Sequence, residues 1–448
     1  MKLLKIFLSL AVILLAAQLP AQTLTQLYAF TNTPDGANPP AGLVAIGNTL
    51  YGTTVNGGTN NDGTLFKIDT DGLNYAPLRL FTGSPGDGRN PNSYLLLASN
   101  TFYGTTYSGG SNGYGVVFKL NPGGSNYTVI KSFGRSPDAE NPECALVLGS
   151  NTLFGTTQLG GTNGFGAIFK VDTNGSNYAQ LYSFTGSPDG AYPIAGLALV
   201  SNTLYGTTTS GGTNGVGTVF KINTDGSGYA ELISFAGAPD GATPYAGLIL
   251  SGNTLYGGTS GGGSNGVGTV FKINTDGSGY RILKHCSTAT GSNPWGNLML
   301  SGNTFYGTTT AGGPVSSNYG TVFKINTDGS GFALLAGFSQ TNGQSLNLGG
   351  LALVSNTLYG TTYYGGISNV GVVFSLTMPP LPSLQISNAA APLVYWADDG
   401  LNRVLQTTTN LASGSWSNVT KLNYTNSPDI GLTVTNPAQL PQAFFRLE

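Results

Sequence analysis

One seven-residue phrase recurs seven times in this chain of 448 residues. Its common form is Asn-Thr-Leu-Tyr-Gly-Thr-Thr, and the copies begin at Asn48, Asn100, Asn151, Asn202, Asn253, Asn303 and Asn356. The copies therefore follow one another at intervals of 50 to 53 residues. A regular period of this length is typical of solenoids, propellers and other arrays in which each repeat is one supersecondary unit. The repeat thus restricts the fold before any single residue is considered.

Each copy encodes four short β-strands. In the fourth copy they are predicted at residues 196–200, 203–208, 217–222 and 229–235, where β-branched and aromatic residues are frequent. Turn residues separate these runs, including the pair Asp225-Gly226 that favours hairpins. No run has the 3.6-residue apolar period of a helix. Four antiparallel strands per repeat are typical of a propeller blade.

The ends of the array indicate how the repeats are joined. The last copy stops at Met378 without a fourth strand, and residues 23–30, before the first copy, have the fourth-strand pattern. We therefore predict an all-β fold, a seven-bladed β-propeller closed by an N-terminal strand, because closure leaves no exposed sheet edge. A parallel β-helix with about two coils per repeat is the alternative. The hairpin signals and the offset of one strand favour the propeller.

The sequence also predicts how the chain is divided. Residues 1–21 read as a signal peptide, with Lys2 and Lys5 before an apolar run and a cleavage site near Ala21. The propeller is expected over 22–377, a proline-rich linker over 378–383, and a small C-terminal β-sandwich-like domain over 384–448. We therefore expect a secreted or cell-surface protein with no membrane span in the mature chain.

Composition narrows the range of partners. Charged residues make up 8% of the chain and the net charge is -2, so no basic surface for nucleic acid is expected. The two cysteines, Cys144 and Cys286, fall about three blades apart in a closed ring, which is too far for a disulfide. We predict two free, buried thiols and a monomeric protein.

The repeat resembles a known family. The segment 202–208, together with 217–222, is similar to the GloVer-type tandem repeat of secreted bacterial proteins over roughly residues 23–377. That resemblance implies export and repetition but no activity. The hairpin at 274–280 also resembles the outer hairpin of Tol-type propeller repeats. The tail resembles a C-terminal sorting, anchoring or adhesion module similar to half of a fibronectin type III-like sandwich. The alternative is a plain β-domain with Trp396 and Trp416 in its core.

Candidate catalytic groups are few. His285 is the only histidine and is expected to pack in place of the aromatic residue found at Phe184 and Phe235. With no metal-binding motif present, we expect no metal site and no cofactor. The recurrent aspartates are expected to form turns, because each set occupies a fixed repeat position. Calcium binding by the hairpin set remains open. The inter-blade loops carry Asp35, Asp87, Asp138, Asp189 and Asp240, and the hairpins carry Asp71, Asp225, Asp276 and Asp328.

Two positions per repeat change identity from copy to copy, and both fall in loops on one face of the predicted ring. The first set is Pro40, Asn92, Glu143, Ile194, Tyr245, Trp295 and Leu348, and the second is Val55, Tyr107, Gln158, Thr209, Ser260, Thr310 and Tyr363. Aromatic and amide side chains around a channel mouth suit a sugar or a peptide. The predicted binding residues are Asn92, Glu143, Tyr245, Trp295, Tyr107, Gln158 and Tyr363.

These observations favour an exported, non-catalytic binding, adhesion or surface scaffold protein with an extracellular glycan or protein ligand. The alternative is a propeller enzyme, a hydrolase or lyase acting on polysaccharide through acidic loop residues such as Asp138, Glu143 and Asp189. A structural coat protein without a small ligand is a third hypothesis. A carboxylate pair at the channel mouth favours the enzyme, and an aromatic cluster without such a pair favours binding.

Overall fold

The computed structural model describes residues 22–83, 85–314, 319–346 and 350–378, together with six strands of the C-terminal segment. All regular structure in these residues is β-strand. Thr23–Thr377 forms one unit of seven four-stranded antiparallel sheets, which are the blades of a closed propeller. The predicted fold class is confirmed. No helix of the described residues is long and apolar enough to cross a membrane.

The four strands of blades 1 to 6 run in chain order from the channel outward, and in blade 7 the N-terminal strand takes the outermost place. The first strands are Val44–Ile46, Leu96–Ala98, Val147–Gly149, Ala198–Val200, Ile249–Ser251, Met299–Ser301 and Ala352–Val354. The second are Thr49–Thr54, Thr101–Thr106, Thr152–Thr157, Thr203–Thr208, Thr254–Thr259, Thr304–Thr309 and Thr357–Thr362. The third are Thr64–Asp69, Val116–Leu120, Ala167–Asp172, Thr218–Asn223, Thr269–Asn274, Thr321–Asn326 and Val372–Thr377. The fourth are Ala76–Leu80, Thr128–Ser132, Ala179–Ser183, Ala230–Ser234, Arg281–His285, Ala333–Gly337 and, in blade 7, Thr23–Ala29.

The N-terminal strand closes the ring. Thr23–Ala29 pairs antiparallel with Val372–Thr377, with Thr23 opposite Thr377 and Ala29 opposite Val372. The following residue, Phe30, is fully buried in a cluster that joins blades 7 and 1. The predicted completion of the last blade is therefore confirmed.

The repeated phrase forms the packing surface between blades. Gly206, in the middle of the second strand, leaves room for the Phe220 ring of the third strand, whose tip lies 2.5 Å from where a Cβ would stand. Phe220 is fully buried. Tyr205 of the same strand packs with Phe271 and Ile273 of the next blade. This alternation places one face of each blade against its neighbour, which explains why the phrase barely varies.

Short two-residue pairings link some inter-blade loops to the loops that follow the second strands. They join Gly88–Arg89 to Ser108–Gly109, Ala139–Glu140 to Leu159–Gly160, and Gly241–Ala242 to Gly261–Gly262. Both kinds of loop therefore lie on the same face of the ring, as predicted.

Both cysteines are free and buried, as predicted. Burial raises the pKa of the Cys286 thiol to about 12.

The prediction for His285 was wrong by one position. Cys286 takes the place of Phe235, since its backbone N–H donates to Gly268 as that of Phe235 donates to Gly217. His285 instead accepts a hydrogen bond from the Ser264 N–H at Nδ1, 3.1 Å away.

The C-terminal segment contains two three-stranded antiparallel sheets. In one, Leu393–Ala397 lies between Gln385–Ile386 and Asp429–Thr433, and in the other Leu405–Thr408 lies between Ser417–Asn418 and Phe444–Leu447. The side chain of Trp396 and the whole of Trp416 lie outside the described residues. So do the signal-peptide residues 1–21 and residues 379–383 of the linker.

Candidate functional site

An Asn-Pro pair sets the backbone that leads to the first variable position in several blades. Asn90 and Asn141 adopt positive φ angles of 55° and 57°, which asparagine tolerates better than most residues. Their side-chain amides donate to the carbonyls of Val55 and Tyr107 in the preceding blade, each at 2.9 Å. These bonds hold the loop before each first strand against the loop after the neighbouring second strand. The two variable sets are thereby brought side by side.

A cavity of about 320 Å³ opens at this channel mouth. Six of the seven predicted binding residues line it, and Tyr107 lines an adjoining hollow of about 230 Å³. Leu348 lies outside the described residues. The lining of the main cavity is Pro40, Val55, Asn92, Glu143, Gln158, Ile194, Tyr245, Trp295 and Tyr363.

Three members of the second variable set line neither this cavity nor the adjoining hollow. The hydroxyls of Thr209 and Ser260 donate to the carbonyls of Tyr192 and Thr243, at 3.1 and 2.9 Å, and both residues are buried. Thr310 makes the corresponding contact to Asn293 at 3.4 Å. A short hydroxyl side chain at this position bonds to the adjacent loop, whereas the longer Tyr107, Gln158 and Tyr363 extend beyond it.

One side of the mouth is aromatic. The rings of Tyr245 and Trp295, from blades 5 and 6, stack with centroids 4.6 Å apart and planes 18° apart. Trp295 Nε1 is buried and has no hydrogen-bond partner among the described residues. Tyr363 meets Tyr364 edge to face at 4.7 Å. A buried indole N–H normally finds a partner, so the unpaired donor distinguishes Trp295 within the site.

Glu143 is the one carboxylate among the described residues that line the cavity. Glu143 accepts a hydrogen bond from the Asn92 side-chain amide. Burial raises the pKa of Glu143 to about 7. Beside it, the Tyr107 hydroxyl donates to Gln158 Oε1 at 3.1 Å. None of the described residues that line either hollow is lysine, arginine or histidine.

Tyr94 closes the channel beneath the mouth. Its hydroxyl, from blade 2, accepts a hydrogen bond from the Gly350 N–H of blade 7, and its ring fills the space beside Gly42 of blade 1. In blade 6, the Asn297 side chain accepts a bond from the Gly247 N–H at 2.6 Å. The Tyr94 side chain, which extends from blade 2 to residues of blades 1 and 7, therefore forms a floor beneath the cavity.

The sequence reasoning missed this floor, although a signal was present. Two residues after the first variable position, the chain has glycine or alanine in five copies, at Gly42, Ala145, Gly196, Gly247 and Gly350, but Tyr94 and Asn297 in the other two. Two large side chains at an otherwise small position indicate that they fill space the other five leave open.

The recurrent loop aspartates are held by their own loops, as their fixed repeat position predicts. Asp138 accepts bonds from the N–H groups of Gly134 and Ala139, at 2.8 and 2.9 Å, and from the hydroxyl of Tyr178. Asp189 is bonded by the Tyr182 hydroxyl at 2.7 Å and by Thr185. Neither residue lines the mouth.

The hairpin aspartates are similarly occupied. In three hairpins the Oδ1 atom accepts both the backbone N–H and the hydroxyl of the serine two residues later, as in the pair Asp225 and Ser227 at 2.9 and 2.6 Å. No cluster of three or more metal-ligating side chains occurs in the part of the chain that the structure describes.

Asp138→Ala is expected to lower the free energy of unfolding by roughly 2–3 kcal/mol, because it removes hydrogen bonds to a charged acceptor. Burial alone would raise the pKa of Asp138, but the bonds from Tyr178, Gly134, Ala139 and Lys131 lower it overall. The stabilisation is therefore present above about pH 4 and is lost as the pH falls through the native pKa. Urea unfolding of both proteins at pH 7 and pH 3 tests this. An equal difference at both pH values would contradict it.

Fold and site together define a closed seven-bladed propeller with an aromatic-walled pocket at one mouth. The chain belongs to the Gloeobacter/Verrucomicrobia repeat family, whose repeat matches residues 15–203 and 187–374. No curated protein matches the sequence.

Several solved structures share the fold at low identity. Oligogalacturonate lyase from Vibrio parahaemolyticus is similar at 11% identity and a TM-score of 0.51, over 80% of this chain and 94% of that one. A manganese complex of oligogalacturonate lyase is similar at 11% identity and a TM-score of 0.53, over 80% of this chain and 97% of that one. An extracellular domain assigned to a one-component system of B. thetaiotaomicron is similar at 10% identity and a TM-score of 0.52, over 84% of this chain and 45% of that one. At these identities the similarity shows a shared fold and does not show a shared activity.

Proposed function

We propose that this protein is exported and binds an extracellular glycan at the propeller mouth without transforming it. The observation that carries the proposal is the stacked Tyr245 and Trp295 pair lining the cavity. A sugar ring has an apolar C–H face that packs on an aromatic ring, and its hydroxyls need polar partners at the edge. Asn92 and Gln158 supply amide groups, and Trp295 supplies an N–H without a partner among the described residues.

The dimensions of the pocket agree with a small part of a chain as ligand. Its volume of about 320 Å³ lies at the lower end of the usual range for small-ligand sites, roughly 300–1,000 Å³. The floor at Tyr94 prevents a polymer from threading through. A terminal sugar unit or a short side branch is therefore the fitting ligand.

The enzyme alternative is supported by one feature, the raised pKa of Glu143, which suits a general acid or base near neutral pH. Glycosidases typically use two carboxyl groups about 5–10 Å apart, and the described residues that line the mouth include no second carboxylate. Asp138 and Asp189 are engaged in their own loops. Prolonged incubation with each bound glycan, followed by assay for new reducing or unsaturated ends, tests for catalysis. Product formation that Glu143→Gln abolishes would establish the enzyme instead.

Trp295→Ala and Tyr245→Ala are each expected to weaken glycan binding about 30-fold, since truncating a buried aromatic anchor typically costs 2 kcal/mol or more. Glycan-array screening of the wild type identifies the ligand, and calorimetry then measures each variant. Ile367→Ala is the matched control, because this side chain is 90% exposed and does not line the cavity. Unchanged affinity in the double aromatic variant would refute the proposed site.

Export and the tail form a second part of the proposal. The signal-peptide pattern of residues 1–21 supports secretion, and the resemblance of residues 384–448 to a sorting or adhesion module supports retention at the cell surface. Mass spectrometry of the exported protein is expected to find a mature N-terminus near Gln22. Deleting 384–448 is expected to move the protein from the cell surface to the medium.

A further inference from the structure

We infer that the ligand of this pocket carries a protonated amine, and that the site selects a cationic amino sugar through Glu143 and the surrounding aromatic rings. This inference rests on the glycan-binding function proposed above and specifies its substrate class. It stands on the composition of the pocket wall and on the position of the carboxylate within it.

The pocket has one ionisable acid and no cation. Glu143 is the only acidic residue among the described residues that line the mouth, and the remaining side-chain polar groups are the amides of Asn90, Asn92 and Gln158, the tyrosine hydroxyls and the Trp295 N–H. An acidic sugar entering this space would meet a like charge without a compensating arginine or lysine, which is unfavourable in a partly dry site. A neutral sugar would leave the carboxylate without a counter-charge. An ammonium group supplies one.

Tyrosines from three other blades line the same hollows as the carboxylate, Tyr107 in one and Tyr245 and Tyr363 in the other. Burial raises the pKa of Tyr107, Tyr245 and Tyr363, and the charge of Glu143 raises each further. These tyrosines come from blades 2, 5 and 7, whereas Glu143 comes from blade 3. One carboxylate is thus within electrostatic range of rings around much of the mouth. The faces of aromatic rings attract cations, most strongly when water is excluded, so carboxylate and rings favour the same kind of group.

The free carboxylate is incompletely satisfied. A carboxylate offers about four acceptor sites on its two oxygens, and the Asn92 amide occupies one of them. Burial with so little compensation explains the pKa near 7. A bound ammonium favours the ionised form and lowers this pKa. Binding is therefore linked to loss of a proton from Glu143.

This linkage predicts the direction of the pH dependence. As the pH falls from 7 to 5.5, free Glu143 becomes almost fully protonated, and affinity for the amine is expected to fall about tenfold. An amine with the pKa of an α-amino group, roughly 8, stays charged throughout this interval. The titratable groups near Glu143 are Cys144 and the three tyrosines, and raised pKa values keep all four neutral there. The expected change in affinity is therefore due to protonation of Glu143.

The test compares two probes of equal length, an oligomer of glucosamine and one of N-acetylglucosamine, by calorimetry on the mature protein. At pH 7 the glucosamine oligomer is expected to bind at least tenfold more tightly. Glu143→Gln is expected to remove that preference and the pH dependence together, while circular dichroism shows an unchanged fold. Glu231→Gln is the matched control, since Glu231 lies in the outer strand of blade 4 and is not part of the cavity lining.

The outcomes separate the two proposals. Equal affinity for both oligomers, unchanged in Glu143→Gln, would overturn the amine inference and leave glycan binding standing. An acidic oligosaccharide bound more tightly than either would also overturn it. If no glycan binds and a lysine-rich peptide of matched length does, both proposals fail, because the pocket then serves a protein ligand.

Discussion

Removing residues 22–30 from the mature chain is expected to abolish the cooperative thermal unfolding transition of the propeller. The deletion leaves the edge of Val372–Thr377 without its antiparallel partner and withdraws Phe30 from the cluster joining blades 7 and 1. Loss of a buried phenylalanine alone costs about 3–5 kcal/mol. An unpaired edge strand also promotes association between chains. Scanning calorimetry and light scattering are expected to show an aggregating protein without a single sharp transition.

The effect can be separated from a general consequence of shortening the chain. Adding a synthetic peptide of residues 22–30 to the freshly refolded, shortened protein is expected to restore part of the transition, because the peptide pairs with the open edge. A scrambled peptide of the same composition is the control. A shortened protein that melts at the wild-type temperature as a monomer would mean that ring closure contributes nothing to stability.

Phe220→Ala is expected to lower the free energy of unfolding by about 3–5 kcal/mol. The ring is fully buried, stacks on Tyr229 at 5.8 Å and meets Phe184 edge to face at 5.3 Å. Its tip occupies the space above Gly206. Urea unfolding monitored by circular dichroism measures the change. Ile367→Ala, at an exposed position, is the control and is expected to change stability by less than about 0.5 kcal/mol.

A double-mutant cycle tests the reason for the glycine in the repeated phrase. Gly206→Ala alone is expected to cost about 1–3 kcal/mol, because its Cβ would lie 2.5 Å from Phe220 and 2.7 Å from Leu197. With Phe220→Ala already present, the same change fills vacated space and is expected to cost less. The two effects are therefore non-additive. Strict additivity would show that Gly206 is required for its backbone alone.

Much of the blade followed from local pattern. The second strand of the fourth copy was predicted at 203–208 and is observed as Thr203–Thr208. The first strand was predicted to start at residue 196 but starts at Ala198. Gly196 instead belongs to the layer that lines the pocket beneath the mouth. The apolar residues at the start of this segment favour a strand. Position 196 is small, however, because the blades converge toward the channel.

The candidate site was predicted less completely than the blade. Sequence variation singled out the loop positions, and six of the seven named residues line one cavity. Variation could not distinguish Thr209 and Ser260, which bond back to their loops, from Gln158, which reaches the cavity. The difference depends on side-chain length relative to a carbonyl 17 residues earlier, in the loop that enters the same blade.

The sequence by itself determined seven blades and their strand order, because these features depend on contacts within one repeat or between consecutive repeats. It also determined the closing strand, because residues 23–30 have the fourth-strand pattern that the last repeat lacks. Only the tertiary structure decided which side chains come into contact across the central axis of the propeller. The closure of the channel by Tyr94 against Gly350, and the effect of Glu143 on Tyr245 and Tyr363, join blades that are not neighbours. Such contacts depend on the radius of the closed ring and on the size of each inward side chain. The period of the repeat specifies neither the radius nor the size of these side chains.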